Sequence, residues 1–196
     1  MTPDYKAILE GALARTGSAS SDFDLNKDVT LPAGRVLKPA AVLAAFRADT
    51  GALVLTKRSA RLKHHPGQIA FAGGKQDATD PTPTAAALRE AHEEIGLPID
   101  QVEVLGTLPS HETVTGYDIT PVVALIHGAF LPVPEAGEVS EVFEVPFAHV
   151  TNPTNFIIEG RRWQGRKRRY YAVPYGPFYI WGATARILRA LAERVG

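Results

Sequence analysis

The sequence contains no cysteine. That excludes disulfides, zinc–thiolate sites and cysteine nucleophiles. It also has no excess of charge of either sign, because Lys plus Arg and Asp plus Glu both total 21. A protein that holds nucleic acid or a membrane surface through its overall field carries a net charge, so such partners are disfavoured, while a local basic pocket stays allowed. No apolar run approaches the roughly 20 residues that span a bilayer, and residues 1–15 lack the basic-then-apolar pattern of an export signal. The expectation is a cytoplasmic protein that uses neither a membrane nor nucleic acid. At 196 residues the chain suffices for one domain with added terminal elements and a sizeable core.

Residues 3–16 carry Tyr5, Ile8, Leu9 and Leu13 at near-helical spacing and predict a short leading helix. Residues 17–34, rich in Ser, Asp, Pro and Gly, read as a long loop or arm. Segments 40–46 and 53–56 flank a turn containing Asp49-Thr50-Gly51 and read as a hairpin of two buried strands. Residues 58–80 form a long Gly-, His-, Lys- and Arg-rich stretch around Ile69-Ala70-Phe71. A helix is predicted over 83–95, with Thr82 as N-cap, Pro83 at the first position and Gly96 as the left-handed stop. Leu88, Ala91 and Ile95 make its core stripe. Segments 102–108, 119–126 and 141–145 read as strands, and 156–158 with 170–173 as a second hairpin around Gly165. A closing helix over 180–195 would bury Ile180, Trp181, Thr184, Ile187, Leu188 and Leu191. Strand runs with one inserted and one terminal helix indicate an α+β sandwich with a mixed sheet.

The stretch Arg89-Glu90-Ala91-His92-Glu93-Glu94-Ile95-Gly96-Leu97 crowds three carboxylates onto about one helical turn. Glu93 and Glu94 lie three and four residues beyond Glu90, so all three side chains share a face. Like charges so placed cost a bare helix roughly a few tenths of a kcal/mol per pair. Two readings are open: a solvated acidic face, or a cation that offsets the repulsion. A hard divalent ion, Mg²⁺ or Mn²⁺, is the one that favours carboxylate oxygen. Just upstream stands Gly73-Gly74-Lys75-Gln76-Asp77. Glycines let a backbone approach a ligand and offer it carbonyl and amide groups, although a Gly-Gly pair alone more often marks only a turn.

Glycine loop followed by acidic helix resembles the Nudix box of hydrolases acting on nucleoside-diphosphate-linked substrates. The family pattern runs glycine, five residues, Glu, seven residues, then Arg-Glu-apolar-x-Glu-Glu-x-Gly-apolar. Here Gly74 is followed by five residues and Asp80, then eight residues before Arg89. The second half matches at its fixed positions. The departure falls on the first acid, which in the family pairs with the box arginine. Upstream, Val54-Leu55-Thr56-Lys57-Arg58-Ser59, Lys63, Gly67 and Phe71-Ala72-Gly73-Gly74 resemble the signature of the coenzyme A pyrophosphatase branch. That signature reads Leu-Leu-Thr-x-Arg-Ser, Arg, Gly and Phe-Pro-Gly-Gly at the same spacing. Val54, Lys63 and Ala72 differ from it, and Lys63 keeps the charge without the planar fork of arginine. The extra residue in the box is also typical of this branch. Thr115-Gly116-Tyr117, Val145-Pro146 and Ile180-Trp181-Gly182-Ala183-Thr184-Ala185 extend the resemblance, which covers about residues 40–192.

The resemblance implies a Nudix-type α/β/α sandwich with a mixed β-sheet, a catalytic loop-helix after the glycines and a C-terminal helix. Residues 1–34 would be an N-terminal helix and arm, and 35–196 the Nudix hydrolase domain. It implies Mg²⁺- or Mn²⁺-dependent attack of water on the pyrophosphate of coenzyme A or its thioesters. The products would be 3′,5′-ADP and (acyl-)4′-phosphopantetheine. Glu90 and Glu94 are the expected metal ligands, with Glu93 third and the Gly74 carbonyl fourth. Arg89 is expected to pair with Glu93, a suitable ion-pair spacing. Glu90 is the first candidate for general base; Glu138 or Glu141 is the alternative, and both otherwise read as solvated surface. Arg58, Ser59, Lys63, Gly67, Phe71 and Gly73 form the expected substrate set. ADP-ribose, NADH or a nucleoside triphosphate is an alternative substrate, against which the upstream signature weighs. A non-catalytic nucleotide-binding module is the alternative of another class, against which the complete set Glu90, Glu93 and Glu94 weighs. His64-His65 reads either as an anion contact or as a surface pair, His111 as a surface or pocket residue, and His92 as without a role. Alternation along a hairpin keeps Arg161, Arg162, Arg166, Lys167, Arg168 and Arg169 from forming one patch. A solvated or dimer-contacting hairpin is therefore favoured over nucleic-acid binding or capture of a 3′-phosphate. A homodimer is a family-level expectation.

Overall fold

The computed structural model of the chain describes residues 3–31, 33–163 and 165–196. In chain order the elements are α1 (Tyr5–Ala14), β1 (Ser20–Ser21), β2 (Lys38–Arg47), β3 (Leu53–Arg58), β4 (Ile69–Ala70), β5 (Ala72–Lys75) and α2 (Pro83–Ile95). There follow β6 (Val102–Thr107), β7 (His111–Glu112), β8 (Tyr117–Ile126), β9 (Val139–Val145), the short α3 (Phe147–Val150), β10 (Ile157–Trp163), β11 (Arg166–Ala172) and α4 (Gly182–Val195).

β2 and β8 pair in parallel over their whole length and form the centre of the main sheet. Both faces of this pair are covered, which is why the two strands read as continuous apolar runs. Alternate residues divide between two cores. Ala41, Leu43, Ala45, Val122, Ala124 and Ile126 pack against α2 through Ala86, Ala87, Ala91 and Ile95. Ala44, Phe46, Val123 and Leu125 face the other way, onto Leu9 and Ala12 of α1 and Ile187, Leu188 and Leu191 of α4. The result is the α/β/α sandwich with a mixed sheet. Small alanines on both sides of the first core let α2 lie close to the sheet, which brings its acidic residues against the neighbouring strand.

β2 and β3 do not form the ladder that the sequence suggests. Their only register pair is Phe46↔Leu53 at the turn. Beyond it the same edge of β2 passes to β5, with Ala41 opposite Gly74 and Val42 opposite Gly73. β3 diverges to pair with β4 and β9. This fork holds the glycine strand beside the centre of the sheet. β10 and β11 form a separate two-stranded sheet. α4 starts at Gly182 rather than at residue 180, because a bridge between Ala172 and Trp181 keeps that segment extended. Trp181 is accordingly half-buried, packed on Tyr170, rather than a core residue.

The arm between α1 and β2 is tied down. β1 adds in parallel to β7, and Asn26 exchanges two hydrogen bonds with the Arg169 backbone at 2.9 and 2.8 Å. No helix among the described residues is long and apolar enough to cross a membrane.

Candidate active site

Helix α2 forms as its local sequence dictates. The Thr82 hydroxyl accepts from the Ala85 N–H at 3.1 Å, Pro83 opens the first turn, and Gly96 closes the helix with φ 67°. The Gly96 N–H donates to the His92 carbonyl at 3.0 Å. The buried face of α2 is wider than the predicted stripe. It includes Glu94, at 5% exposure, while Leu88 is only partly buried.

Two contacts join the acids to the glycines. The Gly73 N–H donates to Glu94 Oε2 at 3.1 Å. The Glu90 carboxylate lies so close to Gly74 that a Cβ there would stand 2.6 Å from its carboxyl carbon. Gly73 has φ 150°, and a Cβ on it would collide with the Ala41 carbonyl of β2. Position 73 therefore needs glycine, whereas a side chain at position 74 would displace the Glu90 carboxylate.

Arg89 fixes the remaining geometry. It donates to Asp80 through Nε at 3.0 Å and a terminal nitrogen at 2.9 Å, and to Glu93 at 3.0 Å. Its guanidinium also stands 3.0 Å from a Glu90 oxygen. The expected Arg89–Glu93 pair is present, and the two-pronged bond to Asp80 accompanies it. Asp80 thus makes the pairing with the box arginine that the family pattern gives to a Glu. The Arg89 bond, with a backbone bond from Asp77, holds the Asp80 carboxyl below its ordinary range; Asp80 in turn raises Arg89.

Charge at the acids is costly. Burial pushes the Glu94 carboxyl up to about 7 against the pull of the Gly73 N–H, with Glu90 and Glu138 adding to the rise. Burial also raises Glu90, opposed by Arg89 and reinforced by Glu93 and Glu138. Arg58 acts on Glu94 in the opposite sense, and its buried Nε has no hydrogen-bond partner among the described residues. Two partly desolvated carboxylates, a glycine loop beside them and an arginine with an unmet donor suit a hard divalent cation carrying a phosphate. Glu90 and Glu94 would hold the cation, with the Gly74 carbonyl at hand. Among the described residues no three acidic or imidazole side chains are already drawn into one metal-ligating cluster. Glu93 accounts for this, because it is exposed and turned to Arg89.

Glu138 and Glu141 separate. Glu138 acts electrostatically on both Glu90 and Glu94, whereas Glu141 is an exposed β9 residue in register with Lys57. Glu138 is carried by a strap that the sequence did not reveal. The strap docks on the end of α2 through Val133 N–H to the Ile95 carbonyl at 2.9 Å and Glu135 N–H to the Glu94 carbonyl at 2.8 Å. The Ser59 N–H then donates to the Glu138 carbonyl at 2.7 Å. Its only sequence signal is the Pro- and Gly-rich segment 132–137, and its partners are distant in the chain.

Of the expected substrate set, Gly73 bonds Glu94 directly and Arg58 acts on it electrostatically. Ser59 is buried and anchors the strap, Gly67 makes the turn before β4, and Lys63 is exposed. Phe71 is buried in the core with Ile69, where it supports the glycine strand. His64 and His65 are exposed. His111 is fully buried, bonded to Ser20 Oγ at 2.9 Å and Asp22 Oδ1 at 3.2 Å, and fastens the arm to the sheet. In the basic hairpin Arg161 lies over the Trp181 ring and Arg168 over Phe23, so these cations split between separate neighbours. The Arg166 side chain lies outside the described residues.

Comparison with known proteins gives a consistent picture. Residues 37–163 match the NUDIX domain. The protein of Klebsiella pneumoniae (strain 342) named Uncharacterized Nudix hydrolase NudL is 39% identical over 188 residues, covering 90% of this chain and 98% of that protein. Its namesake in Escherichia coli (strain K12 / DH10B) is 42% identical over 144 residues, 74% of this chain and 75% of its own length. A MutT/nudix family protein from Enterococcus faecalis superposes with a TM-score of 0.51 at 16% identity, covering 86% of this chain and 66% of that one; this likeness concerns the fold alone.

Proposed function

The chain belongs to the Nudix family of hydrolases acting on pyrophosphate-containing substrates, and from that premise we propose that its substrate is coenzyme A or a coenzyme A thioester. The observation that carries the reading is the placing of Glu90 and Glu94 against Gly74 and Gly73, with Arg58 acting electrostatically on Glu94. The resemblance of residues 54–74 to the coenzyme A pyrophosphatase signature supports the narrower substrate. A bound Mg²⁺ or Mn²⁺ supplies neutralisation of the charge that builds on the diphosphate as water attacks.

The residues divide the work as follows. Glu90 and Glu94 hold the cation, with Glu93 and the Gly74 carbonyl as further donors. Glu90 orients the attacking water and accepts its proton; Glu138 is the alternative base, supported by its coupling to both box acids. Arg89, pinned by Asp80, keeps Glu90 and Glu93 in register. Arg58 offers its unmet donor to a phosphate oxygen. Water oxygen forms the new P–O bond, the bridging P–O bond breaks, and the leaving phosphate keeps the electron pair. The products are 3′,5′-ADP and (acyl-)4′-phosphopantetheine. A cytoplasmic setting accords with such a small-molecule substrate.

Product analysis with coenzyme A, ADP-ribose and NADH in the presence of Mg²⁺ or Mn²⁺ tests the proposal. Coenzyme A is expected to be cut fastest, and Glu90→Gln is expected to lose at least about a hundredfold in turnover with an unchanged fold by circular dichroism. Faster cleavage of ADP-ribose or NADH would overturn the coenzyme A assignment, and full turnover by Glu90→Gln would remove Glu90 from the chemistry.

A further inference from the structure

On the far side of β3 from Glu94 lies a recess that the reaction above leaves unused. Leu53 and Leu55 of β3 face the core of α1 and α4 and Val54 the core of α2, so alternation carries Lys57 to the face of Leu53 and Leu55, while Arg58 acts toward Glu94. There Lys57 and the turn 66–69 confront the segment 177–181 across a cleft of about 370 Å³. Ligand pockets run from roughly 300 to 1,000 Å³, so the cleft suits a nucleoside rather than a whole coenzyme. Its aromatic wall is braced from behind. Phe178 stacks on Phe143 with ring centroids 3.6 Å apart and planes 8° from parallel. Trp181 packs on Tyr170 at 5.0 Å, and the Tyr179 hydroxyl donates to Glu159 at 2.7 Å. The Arg161 guanidinium lies 5.7 Å over the Trp181 ring. Among the described residues Lys57 is the one charged residue lining the cleft; Glu141, its register partner on β9, lies on the same face of the sheet but is not part of that lining.

Ordered aromatic faces beside a cation recognise a planar heterocycle that carries a phosphate. We propose that this cleft is the nucleoside subsite, taking the adenine ring against Phe178, Tyr179 and Trp181 and the 3′-phosphate on Lys57. The inference rests on the coenzyme A reading and deepens it. Arg58, which acts on Glu94, also borders the cleft through the turn that lines it: the Arg58 N–H donates to the Gln68 carbonyl at 2.9 Å and the Gly67 N–H to the Arg58 carbonyl at 3.1 Å. A substrate with its diphosphate in the middle crosses that turn, with one end in the cleft and its bridge at Glu90 and Glu94.

Trp163 and Trp181 are the two tryptophans of the chain, so Trp163→Phe leaves Trp181 as the sole reporter. In that background 3′,5′-ADP is titrated while indole emission is followed, with 5′-AMP as the ligand that lacks the 3′-phosphate. Saturable quenching by 3′,5′-ADP is expected, weakened about tenfold by Lys57→Met, with the 5′-AMP response moved less than about twofold. In the otherwise unaltered chain, Lys57→Met should lower the kcat/KM preference for coenzyme A over dephospho-coenzyme A by the same factor, and Lys57→Arg should restore it. No quenching, or equal weakening of both nucleotides together with an unchanged preference, overturns the subsite. Hydrolysis of coenzyme A with no response from Trp181 overturns the subsite alone. A Lys57-dependent response without coenzyme A hydrolysis keeps the subsite and overturns the substrate reading.

Discussion

Glu94 shows at the scale of one residue what the site is built for. Its carboxylate is buried beside a second carboxylate, and the one backbone donor it receives, from Gly73, does not offset that burial. The folded chain therefore holds the Glu94 proton more tightly than the unfolded chain does. In metal-free protein this contribution to stability is full below the ordinary value of 4.5 and is lost as pH rises through about 7. The loss is on the order of 3 kcal/mol. Thermal unfolding in chelator, followed from pH 4.5 to 8, should show the wild type falling relative to Glu94→Gln across that window. Parallel profiles would mean that the Glu94 charge is tolerated without a cation. Nothing in the residue type announces this; only the three- and four-residue spacing from Glu93 and Glu94 back to Glu90 hints at it.

At the scale of elements, α2 is held by two kinds of device that should respond differently. Thr82 caps the helix locally, and Thr82→Ala should cost about 1 kcal/mol of stability with little change in turnover. Asp80 is different, because it pins Arg89, which in turn spaces Glu90 and Glu93. Asp80→Asn should lower turnover at least about tenfold, out of proportion to a stability loss of about 1–3 kcal/mol. Chemical denaturation and steady-state kinetics on both variants check the contrast, and equal kinetic effects would refute it. Local signals were legible: Thr82, Pro83 and Gly96 predicted the bounds of α2, and the Arg89–Glu93 pair followed from spacing. Long-range partners were not. The strap on the α2 C-terminus, the fork of β2 between β5 and β3, and the bridge that keeps Trp181 extended all depend on residues far apart in sequence. His111 likewise revealed its role only through Ser20 and Asp22, about ninety residues away.

At the scale of the whole molecule, the N-terminal helix and arm, read from sequence as a separate segment, complete the second core. Leu9 is fully buried and Ala12 nearly so, against α4 and the back of the sheet. Leu9→Ala should cost about 2–5 kcal/mol in urea unfolding, as a core residue does; a loss below about 1 kcal/mol would make α1 an accessory. The sandwich thus buries α1 and α4 on one face of the sheet and sets α2 with its acids on the other. Manganese titration followed by electron paramagnetic resonance tests the claim about those acids most directly. The account predicts that the wild type binds Mn²⁺ and that Glu90→Gln and Glu94→Gln each weaken binding at least about tenfold, since each removes a carboxylate from the cation. Mn²⁺ binding of equal strength in the wild type and both variants would contradict it.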